Sequence, residues 1–358
     1  MRCDPHALID LGALRHNLGV ARKAAPSSRI LAVIKANAYG HGLPRVAQAL
    51  HQADALGVAR VSEGVRLRSQ GIRQPIVVLE GCCGREELEA AAAQELQICI
   101  HAPEQLQLLQ QTPLPRPVAC WLKVDSGMHR LGYPPAEAAE AFRQLRECRN
   151  VQGLRLMTHL ANADDRADPA TDAQLDRFLP LLSGLKVEAS IANSAGLLGW
   201  PQAQRDWVRP GLMLYGASPF LNSRADELGL RPVMTLRSRL IAVRRFAAGE
   251  PIGYGATWHC PEEMPIGVVA IGYGDGYPRH ARPGAPVLLN GRRAPLVGRV
   301  SMDMITIDLR RHPEAAVGDE VTLWGEGLPA EEVAEHADTI PYQLFCGVTT
   351  RVELRERE

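Results

Sequence analysis

The chain has 358 residues, 46% of them hydrophobic, and its 40 Lys and Arg balance 40 Asp and Glu to a net charge of zero. That length allows two domains at about 100–200 residues each, or one barrel of ~250 residues with a smaller unit, and the apolar content supports a sizeable core. A neutral chain carries no electrostatic footprint for nucleic acid or an anionic membrane, and no run reaches the ~18 apolar residues of a membrane helix.

The opening Met1-Arg2-Cys3-Asp4-Pro5-His6 lacks an apolar stretch, so no signal peptide is predicted. Eight cysteines (Cys3, Cys82, Cys83, Cys99, Cys120, Cys148, Cys260 and Cys346) show no CxxC or Cys/His spacing. No metal site is expected from them, the adjacent Cys82 and Cys83 read as two unpaired thiols, and the usage fits a reducing cytoplasm.

From residue 29 to 215, short apolar runs alternate with amphipathic stretches. The expected strands are Ile30–Lys35, Ala55–Ala59, Ile76–Leu79, Gln97–Ile100, Val118–Val124, Leu154–Thr158, Glu188–Ala192 and Trp207–Leu214. Helices are expected between them at Pro44–Gln52, Arg85–Ala93, Pro103–Gln111, Ala136–Arg146 and Thr171–Leu182, several opening on proline or glutamate. Eight strand–helix repeats in this span predict a parallel (β/α)8 barrel, and the glycine-rich first turn of a doubly wound sheet is missing.

Beyond residue 230 the pattern changes to period-2 runs at Thr235–Phe246, Ile266–Ile271, Pro286–Leu289, Ala294–Val300, Met304–Asp308 and Glu320–Leu323. Gly, Pro and Asn290-Gly291 turns separate them, which predicts antiparallel strands. One short helix is expected at Ala330–His336. The chain therefore reads as a barrel over 1–230 and a mostly-β domain over 231–358, with the boundary near Leu228–Pro232.

A (β/α)8 barrel carries its chemistry at the C-terminal ends of the strands. Strand one ends at Lys35, with Tyr39 and His41 in its loop, and strand five runs into Lys123 and the segment Asp125–Leu131. Strand six ends at Thr158-His159, strand seven at Ala192-Asn193-Ser194-Ala195, and strand eight passes Arg209-Pro210-Gly211-Leu212. A lysine leaving an apolar strand is partly desolvated, and a lowered amine pKa is what a Schiff base needs. Ser194 and the Gly211-Leu212 peptides stand where barrels hold a phosphate. Together they describe pyridoxal 5'-phosphate across a barrel mouth. An arginine such as Arg209 against the pyridine nitrogen leaves it largely unprotonated and weakens the ring as an electron sink. Singly, Lys35 also reads as a strand-end charge, Arg209 as a rim ion pair and Asn193-Ser194 as a helix cap.

The set of motifs resembles bacterial alanine racemase from Ala7 to Val352. The resemblance is carried by Lys35-Ala36-Asn37-Ala38-Tyr39-Gly40-His41-Gly42, Lys123 to Gly132, Thr158-His159, Ala192-Asn193-Ser194-Ala195, Gly253-Tyr254-Gly255, Gly272-Tyr273-Gly274-Asp275-Gly276 and Ser301-Met302-Asp303. It implies a pyridoxal phosphate-dependent homodimer whose active site is shared between subunits. Lys35 would carry the cofactor and act on one face of alanine, and Tyr254 of the other subunit on the opposite face. Arg130 would bind substrate and the cofactor's phenolic oxygen, and Met302 the substrate carboxylate through its backbone N–H. Tyr39, Ser194, Gly211, Leu212 and Tyr342 would hold the phosphate, with His159 and Arg209 on the ring side. Lys123 matches a lysine often carbamylated in relatives, and Tyr273 belongs to the substrate entrance.

Racemisation needs two acid/base groups on opposite faces of a planar carbanion, since one base returns the proton where it came from. A tyrosine near its usual pKa of ~10 is a poor base at neutrality, so a nearby cation or polar network, such as one through His159, is expected to adjust Tyr254. Two rivals share parts of the pattern. A barrel-type decarboxylase would place an acid, not Arg209, against the pyridine nitrogen. A non-catalytic cofactor carrier would lack the second domain and Tyr254. Selection for a small side chain by pocket size is worth only ~1–3 kcal/mol per methylene, so serine is an expected weak substrate.

Overall fold

The computed structural model describes residues 4–358, so Cys3 lies outside the described residues. Strand β1 spans His6–Asp10. The next eight strands are β2 (Arg29–Val33), β3 (Ala55–Val58), β4 (Ile76–Val78), β5 (Gln97–Ile100), β6 (Val118–Lys123), β7 (Val151–Met157), β8 (Ala189–Ser190) and β9 (Trp207–Val208). They close in that order into a parallel barrel, sealed where Arg29 and Ile30 of β2 pair with Trp207 and Val208 of β9. The strands β3 and β4 are buried at every position, as befits a sheet covered on both faces. The expected eight strands are all present, and all but Gln97–Ile100 stop short of the C-terminal ends of the apolar runs that announced them.

One end of the barrel is built for cohesion. Arg29 lies over the Trp207 ring at 4.4 Å, and Glu188 accepts hydrogen bonds from both Arg29 and Arg155. The site described below occupies the other end.

The remaining strands are β10 (Met234–Phe246), β11 (Met264–Val269), β12 (Pro286–Leu289), β13 (Arg292–Val297), β14 (Ile305–Asp308), β15 (Glu320–Trp324) and β16 (Glu353–Arg357). Strands β10, β11, β14, β13, β12 and β15 form an antiparallel barrel. Strand β10 serves several neighbours because of its length. Its first half pairs with β1 and β15 and its second half with β11, with register shifts at Leu236/Arg237 and Leu240/Ala242.

Two features differ from expectation. The span 1–230 is not all in the first barrel: β1 pairs antiparallel with β10 and parallel with β16, in the sheet of the second unit. A second helix, Pro341–Gly347, follows Ala330–His336 and packs against the turn behind Lys35. Buried Asn17 ties the units together, donating to the Leu214 and Arg231 carbonyls and accepting from the Arg231 amide. Gly216 crosses here at φ +78°, where a Cβ would lie 1.8 Å from the Arg231 carbonyl oxygen.

Candidate active site

Lys35 stands just past β2. The strand stops at Val33, Ile34 is fully buried, and the chain then enters a left-handed turn at Ala36, Asn37, Ala38 and Tyr39, with φ of 51–55°. Left-handed backbone costs roughly 1–2 kcal/mol per non-glycine residue, so four in succession persist only where surrounding contacts dictate them. Those contacts are present. Glu63 accepts the Ala36 amide, Asn37 Oδ1 accepts the Leu43 amide, and buried His41 donates from Nδ1 to the Ala38 and Tyr39 carbonyls. At Gly40 a Cβ would fall 2.1 Å from the Phe345 carbonyl oxygen, so only glycine lets the helix Pro341–Gly347 sit here.

The half-buried Lys35 amine makes no hydrogen bond or ion pair among the described residues. Burial lowers its pKa below the ordinary amine range, Arg130 lowers it further, and Glu80 and Glu63 oppose them.

Arg209 is 4% exposed and donates to Ser190 Oγ, the Thr158 and Ile191 carbonyls and His159 Nδ1. All four bonds leave from Nη1 and Nη2, so Nε has no acceptor among the described residues. His159 is held far below its usual pKa by burial, then by Arg209, Lys123, Arg130 and Lys35. Burial also pushes the Lys123 amine down to about 8, Cys99 acting the other way and Arg209, Arg130 and Lys35 adding to the depression. Arg130 is exposed on a loop folded by Asp125, whose carboxylate accepts the Gly127 and His129 amides. It has no ion-pair partner among the described residues. Lys35, Lys123, Arg130 and Arg209 thus form a cationic cluster, with Glu63 and Glu80 the carboxylates that oppose it at Lys35 among the described residues.

Facing this cluster, Ser194 Oγ accepts the Gly211 amide at 2.9 Å and the Met213 amide at 3.3 Å. Leu212 opens a 3-10 turn, where an amide has no partner within the turn. A Cβ on Gly211 would lie 2.7 Å from the Tyr39 hydroxyl. The Tyr39 ring packs on Tyr215 and Tyr342, at 4.7 and 5.6 Å between centroids. Burial holds the Tyr39 and Tyr342 hydroxyls protonated, Tyr342 pushed up to about 12.

One chain brings together Lys35, Tyr39, Lys123, Arg130, His159, Ser194, Arg209, Gly211, Leu212 and Tyr342. It does not bring Tyr254, Tyr273 or Met302 to them. Tyr254 is 67% exposed, without a hydrogen-bond or ring partner among the described residues, and Met302 is 53% exposed. The charged groups that act on His159 are the four cations of this chain. Tyr273 and Met302 sit on loops braced as one unit: the Tyr273 amide donates to the Ser301 carbonyl, the Gly274 amide to the Met302 carbonyl, and Arg351 pairs with Asp275 and Asp303. Residues near the site that sequence reasoning missed are Glu63, Glu80, Tyr215, Phe345 and Cys346. For Phe345 and Cys346 the one signal was Pro341 after Ile340, an ordinary helix start; Glu63 showed only as an early helix glutamate.

A desolvated amine just past the first strand of a parallel barrel, facing a small cradle across the mouth, defines a barrel-type pyridoxal 5'-phosphate enzyme. The family model "Alanine racemase, N-terminal domain" matches residues 9–219, and "Alanine racemase, C-terminal domain" matches 233–356. An alanine racemase of Nitrosococcus oceani is 55% identical over 350 residues, covering 97% of this chain and 98% of that one. The crystal structure of a biosynthetic alanine racemase from Pseudomonas aeruginosa superposes with a TM-score of 0.97 at 46% identity, over the full length of both. That of a Bacillus anthracis alanine racemase with bound L-Ala-P gives 0.87 at 31% identity, covering 100% of this chain and 96% of that one. The chain belongs to the alanine racemase family. It interconverts L- and D-alanine, and like the family it depends on pyridoxal 5'-phosphate.

Proposed function

We propose that Lys35 and Tyr254 are the two acid/base groups, and that Tyr254 reaches the site from the partner subunit of a homodimer. The observation that carries this is the composition of the barrel rim. Among the described residues it offers Lys35 as an accessible amine base; His159 is committed to Arg209, and Tyr254 lies exposed on the same chain with nothing to act on.

The residues fit the cofactor. The cationic cluster lacks a matching set of acids, the space beside Gly211 closes if a single methyl is added, and the Tyr39 hydroxyl has no partner among the described residues. Tyr39, Ser194, Gly211, Leu212 and Tyr342 would hold the phosphate, the Arg209 Nε–H would face the pyridine nitrogen, and His159 would line the ring. When bound, pyridoxal 5'-phosphate supplies an aldehyde for the Lys35 amine and a conjugated ring that acidifies the substrate α-proton.

The chain's own residues do the rest. Arg130 orients the carboxylate of alanine, helped by the partner's Met302 backbone N–H. Lys35 Nζ holds or releases a proton on the D-alanine face and Tyr254 Oη on the L-alanine face. A carbamate on Lys123 would turn a cation into an anion able to hold Arg130, and its depressed pKa favours the neutral amine such a reaction needs. Tyr273 flanks the entrance. Among the described residues no helix is long and apolar enough to cross a membrane. We place the enzyme in the cytoplasm, supplying D-alanine for peptidoglycan or degrading it.

Tyr254→Phe tests the assignment. The variant is expected to keep its cofactor and to exchange the α-proton of D-alanine with solvent deuterium, while exchange of L-alanine falls by roughly 10²–10⁴-fold. Undiminished racemisation in both directions would sink it.

A further inference from the structure

The left-handed run behind Lys35 is fastened by a side chain from a different strand–helix unit. Glu63 Oε1 accepts the Ala36 amide at 2.8 Å, and Oε2 accepts the Ala59 amide at 2.8 Å and the Arg60 amide at 3.2 Å. Glu63 is the third residue of the helix Val61–Ser69, where a glutamate ordinarily turns back to the amide that precedes its own helix. Here one oxygen does that and the other reaches across to the end of β2. The peptide on the other side of Lys35 is also fixed, its Ile34 carbonyl accepting the Ala38 amide at 2.9 Å. The amine itself has no hydrogen bond among the described residues, so the backbone on either side sets its direction.

We propose that Glu63 is a positioning residue for Lys35: by holding the Ala36 amide it locks the entry to the left-handed turn, aiming the lysine and placing the Tyr39 ring beside Gly211. This rests on the assignment of Lys35 as the cofactor-bearing amine. A helix cap alone would need only the bonds to Ala59 and Arg60. The third bond, to the residue next to Lys35, is what a cap does not explain. The same carboxylate is one of two acids opposing the depression of the Lys35 amine, so its loss has an electrostatic signature as well as a geometric one.

Glu63→Gln places an amide nitrogen where one carboxylate oxygen accepts, so a backbone donor faces a donor. Without cofactor, this variant is expected to exchange the amide hydrogens of residues 36–39 roughly tenfold faster than the natural chain, with the barrel strands unchanged. Trapping of Lys35 by pyridoxal phosphate and borohydride, mapped by peptide mass, is expected to show a plateau rate roughly tenfold lower and a pH midpoint moved down. A merely structural role would not move that midpoint. Adding Ala36→Gly, which relieves the strain because glycine accepts φ > 0 freely, is expected to recover part of the plateau. Unchanged exchange, plateau and midpoint in Glu63→Gln would overturn the proposal, as would a double variant with no recovery. If Glu63→Gln does not fold, the natural chain decides: the Ala36 amide, on an exposed residue, must exchange slowly, and an unprotected amide refutes the role. Failure of borohydride to mark Lys35 in the natural chain would instead refute the assignment of Lys35, whatever the exchange data show.

Discussion

Arg209 Nη2 lies 3.2 Å from His159 Nδ1, and it fixes the state of that imidazole. A guanidinium can only donate, so Nδ1 carries the lone pair and the ring proton sits on Nε2. Burial, with four cations around it, keeps the ring neutral. The ring ¹⁵N shifts of His159 should therefore report the neutral Nε2–H form throughout the range from about pH 5 to 8 in which a free histidine titrates. A protonation step near the ordinary ~6.5 contradicts the geometry.

Lys123 is a stability cost that the site tolerates. Its pKa is about 8 when folded and 10.5 when unfolded. Between those values the unfolded chain binds more protons, so stability rises with pH across that window, and below it the cost is carried in full. In carbonate-free buffer and without cofactor, Lys123→Met is expected to be more stable than the natural chain at pH 7 by on the order of 1–3 kcal/mol. The advantage should fade as pH approaches 10.5. Urea unfolding at both pH values checks this; with bicarbonate and cofactor supplied, racemase activity of the variant should fall, since no carbamate could form to hold Arg130.

Gly211→Ala tests the cradle. The new methyl meets the Tyr39 hydroxyl at 2.7 Å. Retention of pyridoxal phosphate is expected to weaken by roughly 10–100-fold, the scale of about 1.4 kcal/mol per decade, with little change in unfolding temperature. Removing the hydroxyl by Tyr39→Phe in the same chain should return part of the affinity, and a strictly additive pair would argue against the contact.

Much of this was legible in the residues. Strands such as Ile76–Val78 and Gln97–Ile100 announced themselves because a parallel strand covered on both faces is continuously apolar. The rule that barrel chemistry gathers at one rim then isolated Lys35, Lys123, His159, Ser194 and Arg209 without any coordinates. What stayed hidden depends on distant partners. His6–Asp10 is too short to show a period, and its neighbours lie beyond residue 230. Lys35 reads as the end of a strand because nothing local signals a left-handed turn made without glycine. Glu63 looks like any early helix glutamate. Tyr254 and Met302 came only through family resemblance, because the surface that presents them is completed by another molecule in our reading.

The pairing of β1 with β10 and β16 has a consequence for how the protein is made. A ribosome releases His6–Asp10 well before its neighbours on either side, Met234–Arg237 and Glu353–Arg357. The first barrel can close while synthesis continues, since its strands pair in chain order, but the earliest strand must wait, edges bare, for the latest one. Contacts of such sequence separation form slowly, and an unpaired edge is open to wrong partners meanwhile. A strand made before both of its partners can complete its pairing only after they have emerged.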